Sequence, residues 1–216
     1  MDIFNIFKRD IKYVLPSLVE VVATQPLDVL KTKIQTRQPF FLRDSFRGLP
    51  YRAMGFLPVR TAFWWAQHNT PTKYNLFQKA LFISGIQAAI DIPIDYFKIR
   101  HINRVQTPHT LTQVAKVAAF HSMRNYMFCY SLLYTRYFFN KYKTPNIHPY
   151  YYHIGSMMTG CFLGSTISQP LDVLKTRFTC DPKTPLRLSM RGLIPRMMIT
   201  TIGLGIGQVV LLNLNL

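Results

Sequence analysis

Residues 26–33 read Pro-Leu-Asp-Val-Leu-Lys-Thr-Lys and residues 170–177 read Pro-Leu-Asp-Val-Leu-Lys-Thr-Arg, identical at seven of eight positions. Between them, residues 93–100 read Pro-Ile-Asp-Tyr-Phe-Lys-Ile-Arg, a third copy that keeps the Pro, the Asp, the Lys and the final basic residue. Self-similarity of this kind decides the architecture before any local reading. The copies begin 67 and then 77 residues apart, so three units fill the 216-residue chain: 1–75, 76–148 and 149–216. Working outward, each box follows an apolar stretch (13–25, 80–92 and 154–169) and precedes another (53–67, 117–139 and 193–214).

Six apolar stretches in three pairs imply an all-α membrane protein with six transmembrane helices as three pseudo-symmetric helix pairs. Residues 150–171 and 197–216 carry no Asp, Glu, Lys or Arg, and each is long enough for a hydrocarbon core of about 30 Å. The other four stretches are more polar and rest on the repeat. Ser156, Gly160 and Gly164 recur at four-residue spacing, a small face that allows close helix approach.

The chain carries 26 Lys and Arg against nine acids, a formal charge of +17, and its natural partners are anions. The basic residues punctuate apolar stretches instead of forming a soluble module or tail, which argues against nucleic acid as partner. Cys129, Cys161 and Cys180 are odd in number and, like the six His, widely scattered, so no disulfide framework and no metal site is expected. No Gly-rich phosphate loop or catalytic triad spacing is present, so neither a cofactor nor an enzyme activity is expected. The first ten residues, with Asp2 and Asp10, resemble neither a secretory signal nor a cleavable transit peptide, and any organelle targeting is expected to be internal.

A proline inside a helix removes a backbone donor and crowds the preceding turn, so Pro26, Pro93 and Pro170 are each expected to bend a helix near one membrane face. Asp and Lys three residues apart share a helical face. Three such segments around a threefold pseudo-axis place Asp28, Asp95 and Asp172 in a ring with Lys31, Lys98 and Lys175. Each charge at membrane depth costs roughly 2.5–3.5 kcal/mol on insertion scales, so these acids need partners. A ring of ion pairs between neighbouring helices can close, and can open when bound substrate offsets the lost pairs. The alternative is that each Asp pairs with the Lys of its own helix or caps a helix end.

These boxes resemble the signature of the mitochondrial carrier family, a threefold Pro-x-Asp/Glu-x-x-Lys/Arg-x-Lys/Arg followed by an aromatic-basic-Gly element. That element reads Phe46-Arg47-Gly48 in the first unit, Arg191-Gly192 in part in the third, and a degraded Lys116-Val117 in the second. The resemblance implies a six-helix barrel in the mitochondrial inner membrane, monomeric, with a cavity opening alternately to either side. It also implies an inner gate of three pairs: Asp28 with Lys98, Asp95 with Lys175, and Asp172 with Lys31. The chain departs from the pattern by its shortness and by its outer gate. Stretches 62–69, 134–141 and 210–216 contain no acid, leaving an outer closure that is weak, or apolar and aromatic through Trp64, Trp65, Tyr137 and Phe138.

By the same resemblance, substrate contacts fall on the even helices at Gly55, Phe56, Arg60, Arg124, Asn125 and Ile199. Arg60 and Arg124 lie deep in apolar sequence, where a bidentate anion clamp would justify them; the alternative is pairing with an internal acid such as Glu20 or Asp91. Arg52 and Arg196, nearer helix starts, suit lipid headgroups or phosphate as well as substrate. Arg47-Gly48 and Arg191-Gly192 fit sites for an anionic lipid such as cardiolipin, because a helix N-terminus offers free backbone donors beside a basic side chain. The function implied is exchange of anionic metabolites, with nucleotides ahead of keto acids and other carboxylates; the rival is a carrier-like receptor or adaptor that no longer transports.

Overall fold

The structure is a computed structural model, and it describes residues 22, 24–46, 48–50, 53–55, 58–59, 71, 73–105, 110–142, 149–181, 183, 185 and 187–214. It is all-helical, with no strand among the described residues. In chain order the helices are α1 (24–36), α2 (described at 49–50, 53–55 and 58–59), α3 (Leu76–Ile102), α4 (Leu111–Lys141), α5 (Pro149–Cys180) and α6 (Leu193–Leu214), with a short 3-10 turn at Leu42–Asp44. Pro93 lies inside α3 and Pro170 inside α5, and both helices continue through them.

Local chemistry sets several boundaries. Asn75 and Gln78 form a reciprocal capping box at the start of α3, and Thr110 and Gln113 do the same for α4. α1 ends with Arg37 at φ 59 and Gln38 N–H donating to the Lys33 carbonyl at 2.9 Å, a Schellman-type stop. Gly48 (φ +81) precedes the α2 turn and Gly192 (φ +74) precedes α6, conformations that cost a side-chain-bearing residue about 1 kcal/mol or more.

α4 packs most extensively on α5, and α3 on α4 next. The small face of α5 makes the first contact close. A Cβ on Gly160 would lie 3.1 Å from the Leu132 Cα, and one on Gly164 would lie 3.2 Å from the Phe128 carbonyl oxygen. An apolar cluster of Ile83, Cys129, Leu132 and Cys161 joins α3, α4 and α5, and a second joins Val117 to Leu174 and Phe178, with Phe120 stacked on Phe178 at 5.6 Å.

Much of the remaining interior is polar, and much of the exterior is apolar. Gln25, Gln35, Ser165, Ser168, Gln169 and Asp172 are fully buried. Outside lie Phe77 and Leu81 of α3, Met158, Phe162 and Ile167 of α5, and Ile194, Met198 and Ile202 of α6, several at four-residue spacing along one face. A soluble protein distributes these classes the other way.

By rise per residue the four long helices, of 27, 31, 32 and 22 residues, measure about 33–48 Å, more than a hydrocarbon core requires. Among the described residues only α3 is both long and apolar enough, by composition, to qualify as a span, with a shorter apolar segment at Leu193–Gly203. The uncharged run 150–171, one of the two runs expected to span, lies in α5, where its Ser, Thr, Gln and Tyr content holds hydropathy down.

Candidate functional site: a buried ring of ion pairs

The three boxes face one another. Lys98 Nζ of α3 lies 3.0 Å from Asp28 Oδ2 of α1, Lys31 Nζ of α1 lies 2.6 Å from Asp172 Oδ2 of α5, and Lys175 Nζ of α5 is ion-paired to Asp95 Oδ2 of α3. The pairs therefore run from α1 to α3, α3 to α5 and α5 back to α1. Two of the lysines also bridge within their own helix, Lys98 to Asp95 at 2.7 Å and Lys175 to Asp172 at 3.3 Å. The same-helix and cross-helix readings thus hold together, and the shared lysines link the pairs into one network.

Asp172 is the most heavily engaged member and is fully buried. Besides Lys31 and Lys175 it accepts from Gln35 Nε2 at 2.7 Å and from Arg124 Nη1 at 3.0 Å, with Arg196 Nη1 at 3.9 Å. Gln35 sits one turn beyond Lys31, so its amide lies under the same carboxylate, and its Oε1 accepts from Thr176 at 2.8 Å. Such density fits the cost of the burial: an isolated buried carboxylate is expensive unless every lone pair is used.

A second layer adjoins the ring. Asp91 Oδ2 lies 2.8 Å from His121 Nε2 and 3.2 Å from Arg124 Nη2, while His121 Nδ1 is 3.6 Å from Asp95 Oδ2. Arg124 thus spans two acids on two helices. Of the two readings open for it, pairing with an internal acid describes this state, and a substrate anion would have to displace Asp91 or Asp172. Asn125 Oδ1 accepts from Arg124 Nε at 3.0 Å, which fixes the amide, and its buried Nδ2 has no hydrogen-bond partner among the described residues. Counting both layers, the cations Lys31, Lys98, Lys175, Arg124 and Arg196 face the acids Asp28, Asp91, Asp95 and Asp172. The cluster keeps one surplus positive charge when His121 is neutral.

Other expected site residues fall elsewhere. Gly55 is buried against Ile94 of α3, with which a Cβ would collide, so its lack of a side chain serves a helix contact. Ile199 is half-buried on α6. Phe56, Arg60, Arg47 and Glu20 lie outside the described residues. Arg196 faces inward, not toward a headgroup: it is buried and donates to Ser168 Oγ at 2.6 Å and Gln169 Oε1 at 3.2 Å. Arg191 is exposed, and its carbonyl accepts from Gln169 Nε2.

Gly48 and Gly192 occupy related places. Gly48 packs on Lys98 and Ile102 at the end of α3, and Gly192 on Lys31 and Gln35 at the end of α1. Each therefore abuts the box of the following repeat, taking the third to be followed by the first. Of the outer aromatics, Tyr137 and Phe138 are exposed near the end of α4, where Phe138 meets Tyr142 at 4.7 Å; Trp64 and Trp65 lie outside the described residues.

Sequence reasoning missed Gln35, His121 and the inward role of Arg196. Gln35 could have been found one turn past the box lysine, on the face that carries Asp28 and Lys31. The other two are single-copy residues with no repeat to mark them. No family model matches the chain, and no curated protein matches it.

Proposed function

We propose that this chain is an alternating-access carrier of anionic metabolites, spanning a membrane with six helices and closed on one side by the three-pair ring. The observation that carries the reading is the cyclic set Asp28–Lys98, Asp95–Lys175 and Asp172–Lys31, one pair across each contact between box helices. Buried ion pairs are weak contributors to stability compared with apolar packing, so three of them in a ring argue for a closure that must also come apart. The apolar exterior and polar interior support a lipid setting. The resemblance of the boxes to those of the mitochondrial carrier family supports the mitochondrial inner membrane as that setting.

The substrate side of the proposal rests on Arg124 and Asn125. An anion entering between α3, α4 and α5 can take Arg124 from its two acids and accept from the open Asn125 Nδ2, so that binding loosens the ring at Asp172. The surplus positive charge favours anions, and phosphates suit it best, which keeps nucleotides ahead of keto acids and other carboxylates. Purified protein in liposomes, offered labelled nucleotides, phosphate and carboxylates in turn, tests this reading. Saturable uptake of at least one anion, lost in Arg124→Gln, is expected. Absence of uptake for the whole panel by folded protein would favour the receptor or adaptor reading, to which the acid-free outer stretches already lend weight.

A further inference from the structure

A second cationic site lies apart from the ring, at the end of the molecule where α1 and α5 terminate. There a cleft of about 310 Å³ is lined by Thr36, Arg37, Arg177, Cys180, Asp181 and Arg187. Arg177 donates from Nε to the Gln35 carbonyl at 3.2 Å, which neutralises the exposed carbonyl end of α1 and fixes the guanidinium at the cleft wall. Arg37 occupies the left-handed stop of α1 at φ 59, where glycine or asparagine is the cheaper residue. Arg191 adds a further positive charge near Arg177.

None of Arg37, Arg177 and Arg187 forms an ion pair among the described residues. The one carboxylate of the lining, Asp181, already accepts from the Lys183 N–H at 2.9 Å. Three guanidinium groups against one acid leave the cleft with two surplus positive charges. By contrast, Lys31, Lys98, Lys175 and Arg124 each lie within 3.3 Å of a carboxylate. Guanidinium forks match phosphate oxygens two at a time, and the volume falls in the range of small-ligand sites.

We propose that this cleft binds a phosphate-bearing anion, held by Arg37, Arg177 and Arg187. A lipid headgroup and a soluble phosphate compound share that chemistry. The site does not depend on the transport reading, since among the described residues none of its three arginines pairs with an acid of the ring and Arg177 meets the ring's surroundings through the Gln35 backbone carbonyl. The test uses full-length protein in nanodiscs of neutral lipid, titrated calorimetrically with inorganic pyrophosphate, and in parallel nanodiscs containing cardiolipin, analysed by native mass spectrometry.

The variants are Arg37→Ala/Arg187→Ala and Arg37→Lys/Arg187→Lys. Both side chains are exposed, so unchanged thermal unfolding is expected. If the occupant is soluble, the alanine variant binds pyrophosphate at least about tenfold more weakly and the lysine variant falls between. If it is a lipid, wild type retains cardiolipin that the alanine variant loses. Equal pyrophosphate affinity and equal lipid retention in wild type and the alanine variant would overturn the proposal.

Discussion

Asp172 shows how one residue can hold a site together. It is fully buried, and its two oxygens are shared among Lys31, Gln35, Arg124 and Lys175, with Arg196 just beyond. Removing its charge leaves several cations without a partner, and breaking one buried pair costs about 3–5 kcal/mol. Asp172→Asn is therefore expected to lower the thermal unfolding midpoint in detergent markedly more than Asp28→Asn, whose carboxylate serves the ring through Lys98. Equal shifts for the two variants would count against the hub role of Asp172. The box residues were legible because three copies at matching positions leave little room for coincidence. Arg124 was legible as a cation in apolar sequence that needs an internal acid, and Asp91, named for that role, lies 3.2 Å from it; nothing in the order of residues pointed to Asp172 as its second partner.

At the scale of elements, the α4–α5 contact is the most extensive, and single glycines of α5 make it close. Gly164 meets Phe128, and an added Cβ there would fall 2.9 Å from the ring and 3.2 Å from the carbonyl oxygen. The ring can turn but the backbone cannot, so Gly164→Val overpacks the interface at about 1–3 kcal/mol. Gly85 of α3 has nothing within contact distance of its Cβ position, so Gly85→Ala is expected to be neutral or mildly stabilising through helix propensity. Measuring both by thermal unfolding checks the packing, and a Gly164→Val as stable as wild type would contradict it. The small face of α5 was readable from spacing, but its partner helix was not. The capping boxes at Asn75–Gln78 and Thr110–Gln113 carry a plain start signal that apolar windows overlook, which is why α3 and α4 begin earlier than the apolar stretches at 80 and 117.

At the scale of the molecule, the described residues place much polar chemistry inside and many large apolar side chains outside. The ring, Gln35, Gln169 and the serines of α5 are inside, while Phe162, Ile167, Met198 and Ile202 are outside. Polar residues lower the hydropathy of α4 and α5, whereas α3 among the described residues is apolar enough to qualify as a span. The all-helical architecture and the meeting of the three boxes followed from the repeat, because three similar units can bury three similar polar faces only against one another. What the repeat could not supply is the second layer of Asp91, His121 and Arg124, since it occurs in one unit alone and breaks the pseudo-symmetry.

The central claim is that the three pairs act as one gate, and a charge exchange across one pair tests it most directly. Asp28→Lys, Lys98→Asp and the double variant are compared for uptake into liposomes of whichever anion wild type transports. Each single variant places like charges together and is expected to lose most activity. The double variant is expected to recover part of it, through a coupling of about 1–3 kcal/mol. Recovery stays partial because Lys98 also holds Asp95 at 2.7 Å, and the exchanged acid would repel that neighbour. A single variant with full uptake, or a double variant no better than the worse single, would contradict the account.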